Sequence, residues 1–262
     1  MSIAETINYD ERLGIAVPAE IFNSHTDSAF WVGKVAIGSS VIKPVYYDGL
    51  SRLRAKVYVD EMHFLTSEHL DTFGRESDQD DARSAHFAVI ENASLENNNS
   101  ARVVGSARLI LKGESDKALP IESYFPEIFN GNPLKAKSIE VSRFIARHEN
   151  RQTQHTIALS LIRAMTLYSV ASNVKAAYCI IEAPLLNLLT SIGIPIEMLG
   201  GSKDIEEYGG VLSPVKINPY EIIDSIRRDM TGKIALRMFF KEETPNEGVG
   251  FYPKSLTGGI ND

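Results

Sequence analysis

The chain has 262 residues and a net charge of −7, with 44% hydrophobic and 23% charged residues. That balance fits a globular protein and argues against general nucleic-acid binding, while leaving room for a local basic patch that meets an acidic partner. No apolar run approaches the ~20 residues of a membrane span, and the opening MSIAETINYDERLG has neither the basic flank nor the apolar core of a secretory signal. The single cysteine, Cys179, excludes an internal disulfide and fits a reducing cytoplasm. Within AAYCII it reads as a buried, inert thiol rather than a nucleophile.

Residues 1–45 are weakly patterned and read as an N-terminal arm, with Phe30-Trp31-Val32 and Val41-Ile42 as short strands or chain packed on the core. From Asp48, a plausible N-cap, the pattern turns helical. Leu50, Leu53, Val57 and Glu61 share one face, Tyr58 and Met62 flank it, and Arg52, Arg54 and Lys56 lie in the same helix. Residues 66–84 form a polar, acidic loop in which Glu76, Asp78, Asp80 and Asp81 crowd together. A calcium loop is excluded because its glycine and terminal glutamate are missing at the required offsets. A solvated acidic turn remains. HFAVIE (86–91) and ARVVGSARLIL (101–111) read as paired strands joined by the polar NASLENNNS. Gly105 signals a bulge or a close backbone approach, and Arg108, among apolar residues, needs a carboxylate partner.

After an insertion at 112–137 comes SIEVSRFIA (138–146), a strand with Glu140 and Arg143 inside it. Positions three apart on a pleated strand face opposite ways, so the two do not simply pair. Either each has its own partner or cleft, or this is an edge strand with two solvated charges. A polar, basic RHENRQTQ leads into a helix with Ile157, Leu161, Ala164 and Tyr168 on one face, ending near Asn173. An apolar strand at 176–181 follows, then a short helix opened by Pro184 and closed by Gly193. The remainder holds the turn LGGSKDIEEYGG, a strand at VLSPVKI, a short helix from Pro219 and a strand at KIALRMFF. The order is mixed α/β, an antiparallel meander followed by a crossover helix. It makes one domain over 46–240 and a loose tail over 241–262.

Four motifs in order resemble the acyl-homoserine lactone synthases, the bacterial autoinducer synthase family. They are Arg54 with aromatics at Tyr58 and Phe64; E-x-D-x-x-D at Glu76, Asp78 and Asp81; G-x-x-R-L from Gly105 through Arg108 to Leu109; and E-x-S-R-F at Glu140, Ser142, Arg143 and Phe144. The family usually has phenylalanine and tryptophan where this chain has Tyr58 and Phe64. Beyond residue 180 the LGG…EYGG…SP segment instead resembles the neighbouring N-acyl amino acid synthases and the acyltransferases linked to exosortase systems. The resemblance implies an α/β, GNAT-like acyltransferase fold: a mixed central sheet with splayed middle strands, flanked by helices.

It also implies a reaction, amide formation from an acyl thioester. Such a reaction needs a neutral amine, a site for the oxyanion and a pocket for the acyl chain. Glu140 is the candidate general base. Backbone N–H groups at Phe144 and Ile145 are the candidate donors to the thioester oxygen. Arg54, Asp78, Arg108 and Arg143 are the expected charge network that shapes the acceptor site and orients Glu140, with Tyr58, Phe64, Glu76, Asp81 and Ser142 around it. In the homoserine lactone synthases the acceptor is S-adenosylmethionine; the alternative acceptor is a free amino acid. A non-catalytic acyl-binding relic is disfavoured by the intact Glu140 and its charged partners. Residues 147–152 contain no glycine to cradle a pyrophosphate. The expected donor is therefore acyl-phosphopantetheine on acyl-carrier protein, met by Arg147, Arg151 and Arg163, or else these three merely start a basic helix. No metal and no tightly bound cofactor is expected.

Overall fold

The computed structural model describes residues 30–37, 40–41, 44–91, 101–113 and 117–228. Residues 1–29 of the expected arm, the connection at 92–100, the strand at KIALRMFF and the tail from 241 lie outside the described residues. One sheet holds nine strands: β1 (Phe30–Ile37), β2 (Ser40–Val41), β3 (Ser84–Glu91), β4 (Arg102–Leu111), β5 (Ser138–Ala146), β6 (Ala176–Glu182), β7 (Glu197–Met198), β8 (Lys203–Ile205) and β9 (Gly210–Ile217). Their order is β2-β1-β3-β4-β5-β6-β9-β7, with β8 also on β9. The meander β3-β4-β5 is antiparallel. A long helix, α4 (Arg151–Ala171), then carries the chain over to β6, which lies parallel to β5.

Of the two readings of Phe30-Trp31-Val32, strand or packed arm, the structure shows the strand: β1 pairs along its length with β3, from Phe30↔Glu91 to Ile37↔Ala85. The expected helix start is corrected. The helix α1 (Pro44–Ala55) begins one turn before Asp48. A proline fixes φ at a helical value in the first turn and forfeits an N–H that has no partner there anyway. Asp48 is thus inside the helix, where it accepts from Arg52 Nε at 2.8 Å.

α1 covers one face of the sheet and α4 the other. β3, buried along its whole length between them, carries no polar alternation. Ile157, Leu161 and Ala164 of α4 pack with Phe87, Ala107, Leu109 and Ile139 in the main core, and Tyr168 meets Phe87 edge-on at 5.5 Å. Gly105 does both things its position suggested. The β3–β4 register slips beside it, between Val89 and Ile90, and a Cβ there would stand 2.8 Å from Ile157 Cγ2. Among the described residues the remaining α-helices are α2 (Pro120–Tyr124) and α3 (Pro126–Phe129) in the insertion, α5 (Ala183–Ser191) after β6, and α6 (Pro219–Arg228) against α4.

The site depends on how far β5 and β6 stay together. They pair only from Ser138↔Ala176 to Val141↔Cys179. Beyond Val141 the two strands part, and β5 continues to Ala146 on β4 alone.

Candidate active site

The parting of β5 coincides with a bulge. Ser106 faces Ile145 while Arg108 faces Ser142, so β5 has one residue more than β4 over this interval. Arg143 takes up the slack at φ 52°, a left-handed conformation uncommon outside glycine. The bulge resets the strand's alternation and turns Arg143 to the side where Arg108 lies. Position counting along a regular strand put Glu140 and Arg143 on opposite faces and gave no hint of this.

Arg143 joins a closed ring. Its Nη2 donates to Glu76 Oε1 at 2.8 Å and to Asp78 Oδ2 at 3.0 Å. Arg108 Nη1 donates to Asp78 Oδ1 and Asp81 Oδ1, both at 2.6 Å. Arg54 donates to Asp81 Oδ1 at 3.1 Å and, through Nε, to Glu76. Three arginines and three carboxylates therefore alternate, each bonded to two of the other kind, and the ring sums to zero charge. Arg54 and Glu76 are fully buried and Arg108 is 2% exposed. Pairing of this kind is what makes buried charge tolerable. The acidic segment 76–81 is thus no solvated turn. Burial pushes the Asp78 carboxyl up, but Arg108 and then Arg143 outweigh it and hold it well below the usual carboxylate range. Asp81 is likewise lowered, by Arg54 and Arg108 against burial. Ser142 Oγ accepts from Arg108 Nε at 2.9 Å, tying β5 to the ring.

On the cleft side, the Arg143 guanidinium stacks 5.4 Å from the Tyr58 ring centre, and Tyr58 lies 6.5 Å from Phe64 at 27°. The Tyr58 hydroxyl donates to Phe144 O at 3.5 Å, and burial pushes its pKa up to about 12. Tyr58 comes from a π-helical turn, residues 56–61, that continues α1.

The strands part over a cavity of about 450 Å3. Glu140, Arg143 and Phe144 line it beside Tyr58, and it continues as an apolar pocket past Met165, Leu189 and Ile222. Glu140 is not oriented by the ring, contrary to expectation. Its Oε2 accepts from the backbone N–H of Ile121, in α2, at 2.9 Å. Burial pushes the Glu140 carboxyl up to about 8, with the Ile121 bond and Arg108 pulling the other way. Cys179, beside it on β6, is buried and its thiol is pushed up to about 12 by burial first and Glu140 second, so it is unreactive.

Of the two expected oxyanion donors, one is already committed. Arg147 N–H donates to Val104 O at 2.8 Å, and hydrogen-bonded pairs alternate along an antiparallel ladder. Ile145, two residues back and opposite Ser106, is therefore bonded to β4. Phe144 faces the other way, towards the cleft, where its carbonyl already meets Tyr58.

The basic residues divide. Arg147 and Arg151 are near the surface, Arg147 paired with Glu61. Arg163 is 1% exposed within α4, so it cannot meet a carrier protein, and that expectation is corrected. The N-terminus of α4 is closed by its own sequence: Asn150 Oδ1 accepts from Gln152 N at 2.9 Å and Thr153 N at 3.0 Å. Two further residues, Ile121 and Tyr208, have a place in the site. Ile121 acts through a backbone N–H, which leaves no side-chain signal. Tyr208 lines the cavity from the EYGG segment, and the adjoining Gly209, at φ 65°, lies so close to Phe64 that a Cβ would approach it to 3.1 Å.

Three solved structures share the architecture. The acyl-homoserine lactone synthase LasI aligns with a TM-score of 0.56 at 16% identity, covering 82% of this chain and 97% of LasI. The CoA-dependent acyl-homoserine lactone synthase BjaI, solved with SAM and isopentyl-CoA, gives 0.57 at 15%, covering 80% and 89%. FeeM, an N-acyl amino acid synthase from uncultured soil microbes, gives 0.55 at 12%, covering 79% and 98%. At these identities the likeness is one of fold, the GNAT-like acyltransferase fold. Comparison with curated proteins gives no match. The autoinducer synthase family model, however, matches residues 41–216, more than half of the chain, and spans every motif of the ring and the cleft: the protein belongs to the autoinducer synthase family, and it is an acyltransferase.

Proposed function

We propose that the protein makes acyl-homoserine lactones, joining the acyl group of a carrier-protein thioester to the amine of S-adenosylmethionine. The observation that carries this is Glu140, beside Arg143, in a largely apolar cavity where β5 and β6 part. In this reading the acyl chain lies along α4 and α5, and Phe144 N–H receives the thioester oxygen. Glu140, as carboxylate, takes the proton from the acceptor ammonium directly or through a water. The amine attacks the thioester carbon and the thiolate departs. The methionyl carboxylate then closes the lactone and expels methylthioadenosine. Arg143 and Tyr58 wall the acceptor side, with Phe64, Ser142 and Ile145 around them. The ring of Arg54, Glu76, Asp78, Asp81 and Arg108 holds that wall in place.

Carrier protein is favoured as donor by two features. Residues 147–152 have no glycine, and Asn150 already occupies the α4 N–H groups that would otherwise meet a pyrophosphate. Arg147, which lines the cavity and pairs with Glu61, and Arg151, exposed at the start of α4, are the basic residues a carrier protein would meet. BjaI is CoA-dependent, so both donors belong in the test. A second reading, an N-acyl amino acid synthase, rests on Tyr208 and the EYGG segment at the cavity together with the likeness to FeeM.

The test is incubation with acyl-carrier protein or acyl-CoA, and with S-adenosylmethionine or a mixture of amino acids, followed by mass spectrometry. Methylthioadenosine with an acylated lactone supports the first reading. An acylated amino acid replaces it with the second, and no product with any pairing removes both. The site lies in a chain in which no helix of the described residues is long and apolar enough to cross a membrane; a cytoplasmic location fits the substrates.

A further inference from the structure

The insertion between β4 and β5 does more than cover the sheet. Within it, Glu122 Oε2 accepts from Leu119 N at 2.7 Å, and its Oε1 accepts from Leu134 N at 2.7 Å. Lys112, at the end of β4, donates Nζ to Glu122 Oε2 at 3.0 Å. This pair is almost buried, with side chains 5% and 7% exposed. One residue before Glu122 is Ile121, whose N–H holds Glu140. At the far end of the same segment, Lys203 of β8 donates to Tyr124 O at 3.1 Å and to Glu127 at 2.7 Å. The apolar side chains Leu119, Ile121 and Phe125 are fully buried, so they keep α2 on the sheet without the ion pair. What apolar packing does not fix is the height and rotation of one N–H, and hydrogen bonds weaken steeply with misalignment.

We propose that Lys112 and Glu122 are positioning residues for the reaction: by locking α2 they aim the Ile121 N–H at Glu140 and so fix the direction and ionisation of that carboxylate in the cavity. The proposal rests on the reading of Glu140 as the base. An N–H donated to a carboxylate favours its charged form, and the Ile121 bond is the largest influence on Glu140 that does so. Arg108 from β4 and Arg83 favour the charge more weakly, and Asp80 opposes it. Cys179 on β6 and Tyr208 from the EYGG turn stay neutral through the working range, both raised first by burial. Slackening α2 therefore moves Glu140 towards its protonated form, in which it cannot accept a proton.

The test compares wild type, Glu122→Ala, and the double variant Lys112→Met/Glu122→Ala, which leaves no lysine unpaired in the interior. Two readouts are taken across pH: kcat/KM, and the carboxyl stretch of Glu140 by difference infrared spectroscopy, assigned by its loss in Glu140→Gln. The expected result for both variants is an upward shift of about one pH unit in the acid limb and in the infrared titration, which is about tenfold in activity near pH 7, with recovery at higher pH. An equal loss at every pH with an unmoved titration would make the pair merely structural and overturn the proposal, as would an unchanged profile. If Glu140→Gln keeps full activity while the infrared titration still shifts, the positioning stands and the base reading falls.

Discussion

The ring offers a test in which net charge is held fixed and only pairing changes. Asp78 is bonded to Arg108 and Arg143, and stands across the ring from Arg54. Replacing Asp78 with Asn and Arg108 with Met removes neighbours; replacing Asp78 with Asn and Arg54 with Met removes residues with no hydrogen bond between them. Both double variants lose one charge of each sign. In the neighbour double, the two single losses share one ion pair, so the double is less damaged than their sum. A hydrogen bond between charged groups contributes about 1.5–3 kcal/mol. Asp78 is 21% exposed, which screens its pairing and places the value near the lower end. The coupling energy for Asp78 and Arg108 therefore exceeds that for Asp78 and Arg54 by about 1.5 kcal/mol, the latter retaining only Coulomb attraction across the ring. Urea unfolding followed by circular dichroism on the wild type, three singles and two doubles measures both couplings in one series. Equal couplings would refute the argument: the ring would then be a pool of charge, and the bonds drawn through it would carry no stability of their own.

Glu140→Gln keeps size and shape, and is expected to lower turnover by about two to four orders of magnitude; in wild type, turnover falls as pH drops below about 8, where Glu140 takes up its proton. The same group makes stability decline as pH rises from its unfolded value, ~4.3, to about 8, because the native state keeps a proton that the unfolded chain has released; Glu140→Gln flattens that slope in thermal melts taken across pH. Gly105→Ala forces a Cβ to 2.8 Å from Ile157 and 3.0 Å from Val89 and should cost about 1–3 kcal/mol, visible as a lower urea midpoint. Reversing charge at Arg147 and Arg151 should weaken use of a carrier-protein donor in low salt more than use of an acyl-CoA donor, with the difference shrinking as salt screens it; equal loss with both donors would remove these residues from carrier recognition.

The meander, the crossover helix and the residues of the ring were legible because each depends on side-chain type and order. Arg108 in an apolar strand demanded a carboxylate, and the acidic segment 76–81 supplied one. What was not legible depends on the backbone. The bulge that brings Arg143 to Glu76 needs an irregular φ that an arginine does not advertise. The Ile121 N–H on Glu140 has no sequence signal, since every residue but proline has one. FWVGKVAI lacks the alternation that marks a half-exposed strand, so its sequence leaves strand and packed arm both open. Arg163 misled in the opposite sense: a basic residue near a basic helix start suggests a surface, yet its side chain runs into the interior of α4's packing.

The parting of β5 and β6 has a consequence for how the molecule behaves in company. Strand edges with free N–H and C=O groups invite other chains to add on, the usual beginning of aggregation. Here a second pair of edges opens in the middle of the sheet, from Ser142 on β5 and Ile180 on β6. They face each other across the cavity, which Tyr58 and Tyr208 also line. Another sheet cannot reach them, whereas a thin, flexible chain threaded end-on can. Part of that edge is already spent, the Phe144 carbonyl on the Tyr58 hydroxyl; the rest is backbone hydrogen-bonding capacity kept inside the molecule and away from a neighbour.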